Sequence, residues 1–70
     1  MTNWSLLVTN RYNRKNLALF ATGQKSGRAF YEDYAGGELG GTVRNLLKQN
    51  GVDRARNLAK KALRRRGVNV

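Results

Sequence analysis

Between Arg44 and Arg66 stand nine lysines and arginines against a single acid, Asp53. Groups of that kind hold phosphate oxygens through charge-assisted hydrogen bonds, so their placement decides whether the chain can grip a polyanion. The segment Asp53 to Arg66 (DRARNLAKKALRRR) has the spacing of a helix. At 100° per residue, Ala55, Leu58, Ala59, Ala62 and Leu63 share one arc of roughly 140°. Arg54, Arg56, Lys60, Lys61, Arg64 and Arg65 all fall outside it, and Arg66 follows them. The i,i+4 neighbours Arg56/Lys60, Lys60/Arg64 and Lys61/Arg65 are like-charged, each pair costing a few tenths of a kcal/mol. A helix that accepts such repulsion meets compensating anions. The cations at its end are also favoured by the helix dipole, which accounts for part of the Arg64–Arg66 run without any ligand.

A second basic group, Arg11-Tyr12-Asn13-Arg14-Lys15, interleaves an aromatic with three cations. Here Arg11, Arg14 and Lys15 would hold phosphates, Tyr12 would stack or hydrogen-bond, and Asn13 could pair with adenine in a major groove. Lys25 and Arg28 follow at the next turn. Glu32, Asp33 and Glu38 are the one carboxylate cluster. Neighbouring residues of a strand point to opposite faces, a poor geometry for a shared metal. With no histidine, no cysteine and no P-loop, no catalytic residue, metal ligand or cofactor site is expected.

The elements that must position these groups come from 70 residues, enough for one domain. So short a chain buries about 60% of its unfolded surface, and neither disulfides nor the usual zinc ligands are present to help. Dimerisation is an open way to complete the core. Trp4, Leu6 and Val8 alternate with Ser5, Leu7 and Thr9, which predicts a strand. Asn10 to Asn16 has the polarity of a hairpin loop, and Leu17 to Thr22 is an apolar run of strand length. Gly23 to Gly27 forms a turn with glycine at both ends, and Ala29 to Tyr34 suits a third strand. Short loops favour an antiparallel meander.

Gly36-Gly37-Glu38-Leu39-Gly40-Gly41 then separates sheet from helices. Thr42 would cap a first helix with Val43, Leu46 and Leu47 on one face, and Asn50-Gly51 would stop it. Asp53 would cap the second, and Gly67 would end it. The expected fold is α+β: a three-stranded antiparallel β-meander over 1–35, a glycine-rich joint at 36–41 and two helices within 42–67 (β-β-β-α-α). The expected core holds Trp4, Leu6, Val8, Leu17, Leu19, Phe20, Leu46, Leu47, Leu58 and Leu63.

The segment Val43 to Ala62 (VRNLLKQNGVDRARNLAKKA) resembles the helix-turn-helix family in its spacing of helix, glycine turn and second helix. With Gly51 as the turn glycine, Leu46 and Val52 fall where that motif is apolar. Leu47 stands where a small residue is usual, and Asn50 and Asn57 where buried apolar residues are usual. In element order, a three-stranded sheet backed by a C-terminal helix also looks like the arm-type DNA-binding domains of integrases.

The net charge of +10 is unevenly spread. Residues 1–27 hold four cations and no acid, residues 28–41 hold Arg28 against three acids, and residues 42–70 hold the nine cations with Asp53. The functional expectation is a non-enzymatic protein that binds nucleic acid, DNA before RNA, in the cytoplasm of a cell or of an infected host. Small basic one-domain chains are common in phages and mobile elements, so a regulatory or accessory role is the expected context. An inhibitor docking on an acidic protein surface is the alternative, with Tyr12, Tyr31 and Tyr34 as anchors. Membrane insertion is disfavoured, because the basic helix's apolar face is mostly alanine and no Trp or Phe follows Phe30. No signal-peptide pattern opens the chain.

Overall fold

Four helices follow one another along the chain in the computed structural model, which describes residues 4–70. A 3₁₀ turn, Trp4–Leu7, leads into α1 (Arg11–Ala21), α2 (Gly27–Glu32), α3 (Gly40–Asn50) and α4 (Val52–Arg65). No strand occurs among the described residues. The expected α+β fold is therefore corrected to an all-helical one, and the meander at 1–35 is replaced by the 3₁₀ turn and two helices. Its first three residues lie outside the described part. The likeness to three-stranded integrase arms goes with it.

Helical spacing explains each change. In α1 the buried residues are Asn13, Asn16, Leu17, Phe20 and Ala21, an i, i+3, i+4, i+7, i+8 stripe. The supposed hairpin loop is this helix's first half, capped by the Asn10 side chain, which accepts from the Asn13 backbone N–H at 2.8 Å. Trp4, Leu7 and Val8 are buried rather than Trp4, Leu6 and Val8, so the first segment turns and does not alternate. In α2, Ser26 caps the helix by accepting from Ala29, while Phe30 and then Tyr34 face inward.

The core joins Leu7, Val8, Leu17, Phe20, Phe30, Val43, Leu46, Ala55, Ala59 and Leu63 with Trp4, Ala21 and Tyr34. Leu6 and Leu19, expected inside, are 41% and 38% exposed. Leu47 and Leu58 pack at the edge. Phe20 and Phe30 stack at 4.7 Å, and Tyr34 meets Phe30 edge-on at 5.3 Å. Beside this column a polar set ties α1 to α2. The buried Tyr34 hydroxyl donates to Asn13 Oδ1 at 3.0 Å, and burial pushes its phenol pKa up. Asn16 donates to Asp33 Oδ2 at 3.0 Å, and Lys25 Nζ reaches both side chains at 2.6 Å. The Lys25 hydrogen bond, then that of Asn16, holds the Asp33 carboxyl below the usual carboxylate range.

The glycine stretch is a series of hydrogen-bonded turns running into α3, not an open joint. The helix begins at Gly40, before the expected Thr42 cap, and position 40 requires glycine because a Cβ there would stand 2.7 Å from the Tyr34 carbonyl oxygen. The expected stop at Asn50-Gly51 is present: Gly51 takes φ +79° and alone separates α3 from α4. That link is shorter than the three or four residues of a helix-turn-helix turn, and Val52, apolar in that motif, is 41% exposed. Asp53 lies in the first turn of α4 instead of capping it. Helix α4 ends at Arg65, just ahead of Gly67.

Candidate nucleic-acid interface

Helix α4 buries Ala55, Ala59 and Leu63 and leaves Arg54, Lys61, Arg64, Arg65 and Arg66 exposed, with Lys60 half-buried. The small alanines four residues apart let a neighbouring helix come close. That neighbour is α1, and the two run antiparallel. Arg56, near the start of α4, reaches the end of α1, while Val68, just beyond α4, lies against Arg11, Arg14, Lys15 and Ala18 of α1. The cations at the C-terminal end of α4 therefore stand beside those at the N-terminal end of α1. Neither group announces the other in sequence.

Not every expected contact residue is free. Arg56 donates to the Phe20 carbonyl and, at 3.2 Å, to the Lys25 carbonyl, and its guanidinium lies 4.7 Å from the centre of the Phe20 ring. It satisfies a carbonyl at the end of α1 and completes the aromatic column, so its charge is used inside the fold. The sign was in the helical wheel: Arg56 lies only about 20° beyond Leu63, at the edge of the apolar arc. Arg14 is half-buried and donates to the Val8 carbonyl at 3.0 Å. Arg64 spends its Nε–H on the Val70 carbonyl at 2.9 Å but stays exposed. Arg54 lies eleven residues before Arg65, about 16 Å along the helix, away from the joint surface.

What remains at this end of the pair is Arg11 and Lys15 from α1, with Lys60, Lys61, Arg64 and Arg65 from α4 and Arg66 just beyond it. Tyr12, 65% exposed, sits among the α1 cations, whereas Tyr34 is buried and Tyr31 half-buried. Asn13 is inside, accepting from Tyr34, and is not available to read a base. Two grooves mark this surface. One, lined by Arg11, Arg14, Lys15, Ala18 and Val68, runs along α1. The other, of about 350 Å³, lies between the 3₁₀ turn and α4, lined by Trp4, Ser5, Val8, Leu58, Lys61, Ala62, Arg65 and Arg66. No carboxylate lines either groove. Val8 joins them, since it walls the second and its carbonyl receives Arg14 of the first.

Charge alone could not have pointed to Trp4 and Ser5, which sequence patterning assigned to a strand. Yet the Trp4 Nε1–H is buried without a hydrogen-bond partner among the described residues. Such an orphaned donor costs about 1–3 kcal/mol.

The carboxylates lie elsewhere. Asp33 pairs with Lys25 at 2.6 Å, and Glu32 pairs loosely with Arg28, four residues before it, at 3.6 Å. Among the described residues no group of three or more His, Cys, Asp or Glu side chains is placed to hold a metal ion. No described helix is long and apolar enough to cross a membrane. No protein family matches the chain, and no curated protein or solved structure is significantly similar to it.

Proposed function

We propose that this protein binds nucleic acid, duplex DNA before RNA, without catalysing a reaction on it. The phosphates meet a surface shared by the start of α1 and the end of α4. The observation that carries this reading is the antiparallel pairing, which brings the cation-bearing start of α1 and the cation-bearing end of α4 to the same end of the helix pair, with no acid lining the groove beside either. Cations at the start of a helix oppose its dipole, and α1 has no acid in its first turn to relieve them. An external anion relieves both helices at once. Phosphate contacts fix affinity and register and carry no sequence information, so binding of low sequence preference follows. A regulatory or accessory role in a phage or mobile element is the context proposed with it.

Fluorescence anisotropy of labelled duplex DNA, single-stranded DNA and duplex RNA, titrated at several salt concentrations, tests this. With about six phosphates engaged, log K falls with log salt at a slope near −5. Replacing Lys60, Lys61, Arg64 and Arg65 together by alanine removes most of the affinity while helicity is kept; unchanged affinity in that variant would overturn the reading. Should none of the three bind at about 150 mM salt, an acidic protein surface with Tyr12 as anchor becomes the better partner.

A further inference from the structure

The groove between the 3₁₀ turn and α4 differs in kind from the open cationic face around it. Its walls are of two sorts: Trp4, Val8, Leu58 and Ala62 are apolar, whereas Lys61, Arg65 and Arg66 are cationic and Ser5 offers a hydroxyl. None of the three cations has an ion pair or hydrogen-bonded side-chain partner among the described residues. Its volume is about 350 Å³. Inorganic phosphate would satisfy the cations and leave the apolar wall wet. An aliphatic ligand would cover the wall and leave three charges unmet. A ligand with a flat apolar part and an anionic part, joined at short range, matches both.

Resting on the nucleic-acid reading above, we infer that this groove takes one unpaired nucleotide, its base against Trp4, Val8, Leu58 and Ala62 and its phosphate on Lys61, Arg65 and Arg66. A base within a duplex is stacked on both faces and cannot enter without being flipped out. The groove therefore favours single strands, strand ends and unpaired positions, adding a local preference to a surface that otherwise follows charge. Trp4 is 9% exposed, so it serves as a wall and not as an open stacking platform.

Trp4 is the one tryptophan of the chain, so its fluorescence reports on this groove directly. The protein is titrated with a 5′-phosphorylated thymidine dinucleotide and, separately, with inorganic phosphate. The dinucleotide should change Trp4 emission saturably and bind about tenfold or more tighter than phosphate. Ala62→Gln, which fills the groove, should abolish that response while anisotropy with duplex DNA is kept; Leu58→Ser, which roughens the apolar wall, should weaken it. Far-UV circular dichroism of both variants shows that the helices persist. Equal binding of phosphate and dinucleotide would overturn the base pocket. Duplex binding with no Trp4 response to the dinucleotide would overturn this inference and leave the proposed function standing. Absence of any duplex or single-strand binding would remove both.

Discussion

Helices α1 and α4 lie side by side and both carry clustered cations, but they hold their places by different means. Helix α4 turns alanine and leucine inward and lets close approach do the packing. Helix α1 turns two asparagines inward ahead of Leu17, Phe20 and Ala21, and each is secured by a hydrogen bond to a residue near the end of α2. The charges differ too. Arg64 and Arg65 sit at the favourable end of α4's dipole, so the fold itself explains them in part. Arg11 sits at the unfavourable end of α1, where the fold gains nothing from it. The less conspicuous cluster is thus the better witness for an external anion.

That contrast can be broken at its packing first. Phe20→Ala removes the ring shared by Phe30 and Arg56 and should cost about 3–5 kcal/mol, enough to unfold so small a chain. Thermal and urea unfolding would measure it, and a loss below about 1 kcal/mol would mean that the aromatic column does not hold the two helices together. Asn13→Ala strands the buried Tyr34 hydroxyl and should cost about 1–3 kcal/mol, whereas a helix packed by apolar contact alone would lose little there. The double change Asn13→Ala with Tyr34→Phe should recover part of that loss.

Charge reversal sharpens the comparison further. Arg11→Glu should raise stability by about 0.3–1 kcal/mol through the dipole while weakening DNA binding. Arg65→Glu should lower both stability and affinity, so opposite signs on stability at the two ends are the outcome to look for in paired melts. The smallest effect belongs to Asp33. Its folded pKa is depressed, so its contribution is fully present above the ordinary carboxylate value and is lost as pH falls through the lower folded value. Asp33→Asn should cost less than about 1 kcal/mol at neutral pH, because the pair is partly exposed. The gap between variant and wild type should close below about pH 4.

The same two helices explain how much of the molecule could be read from its sequence. Helix α4 was legible because its buried stripe, Ala55, Ala59 and Leu63, is apolar and its exposed face beyond Val52 is polar, so period 3.6 stood out. The Asn50-Gly51 stop was legible for a reason of backbone chemistry. In α1 the stripe begins with Asn13 and Asn16, and polarity hid the first half of the helix. The apolar remainder, Leu17 to Thr22, was then short enough to pass for a strand. At the N-terminus, one exchange, Leu7 for Leu6, separates a helical turn from an alternating strand. Of the proposed contact surface, the identities of the cations were readable but their grouping was not. Antiparallel pairing is a tertiary fact, and so is the diversion of Arg56 and Arg14 to backbone carbonyls.

Gly40 and Gly41 look interchangeable on paper, yet they face different surroundings. A side chain at 40 would collide with the Tyr34 carbonyl, while a Cβ at 41 meets nothing within 4 Å. In a saturation library sorted for folded protein, position 40 should come back as glycine alone. Position 41 should drift freely and gather alanine, which loses less freedom on entering a helix.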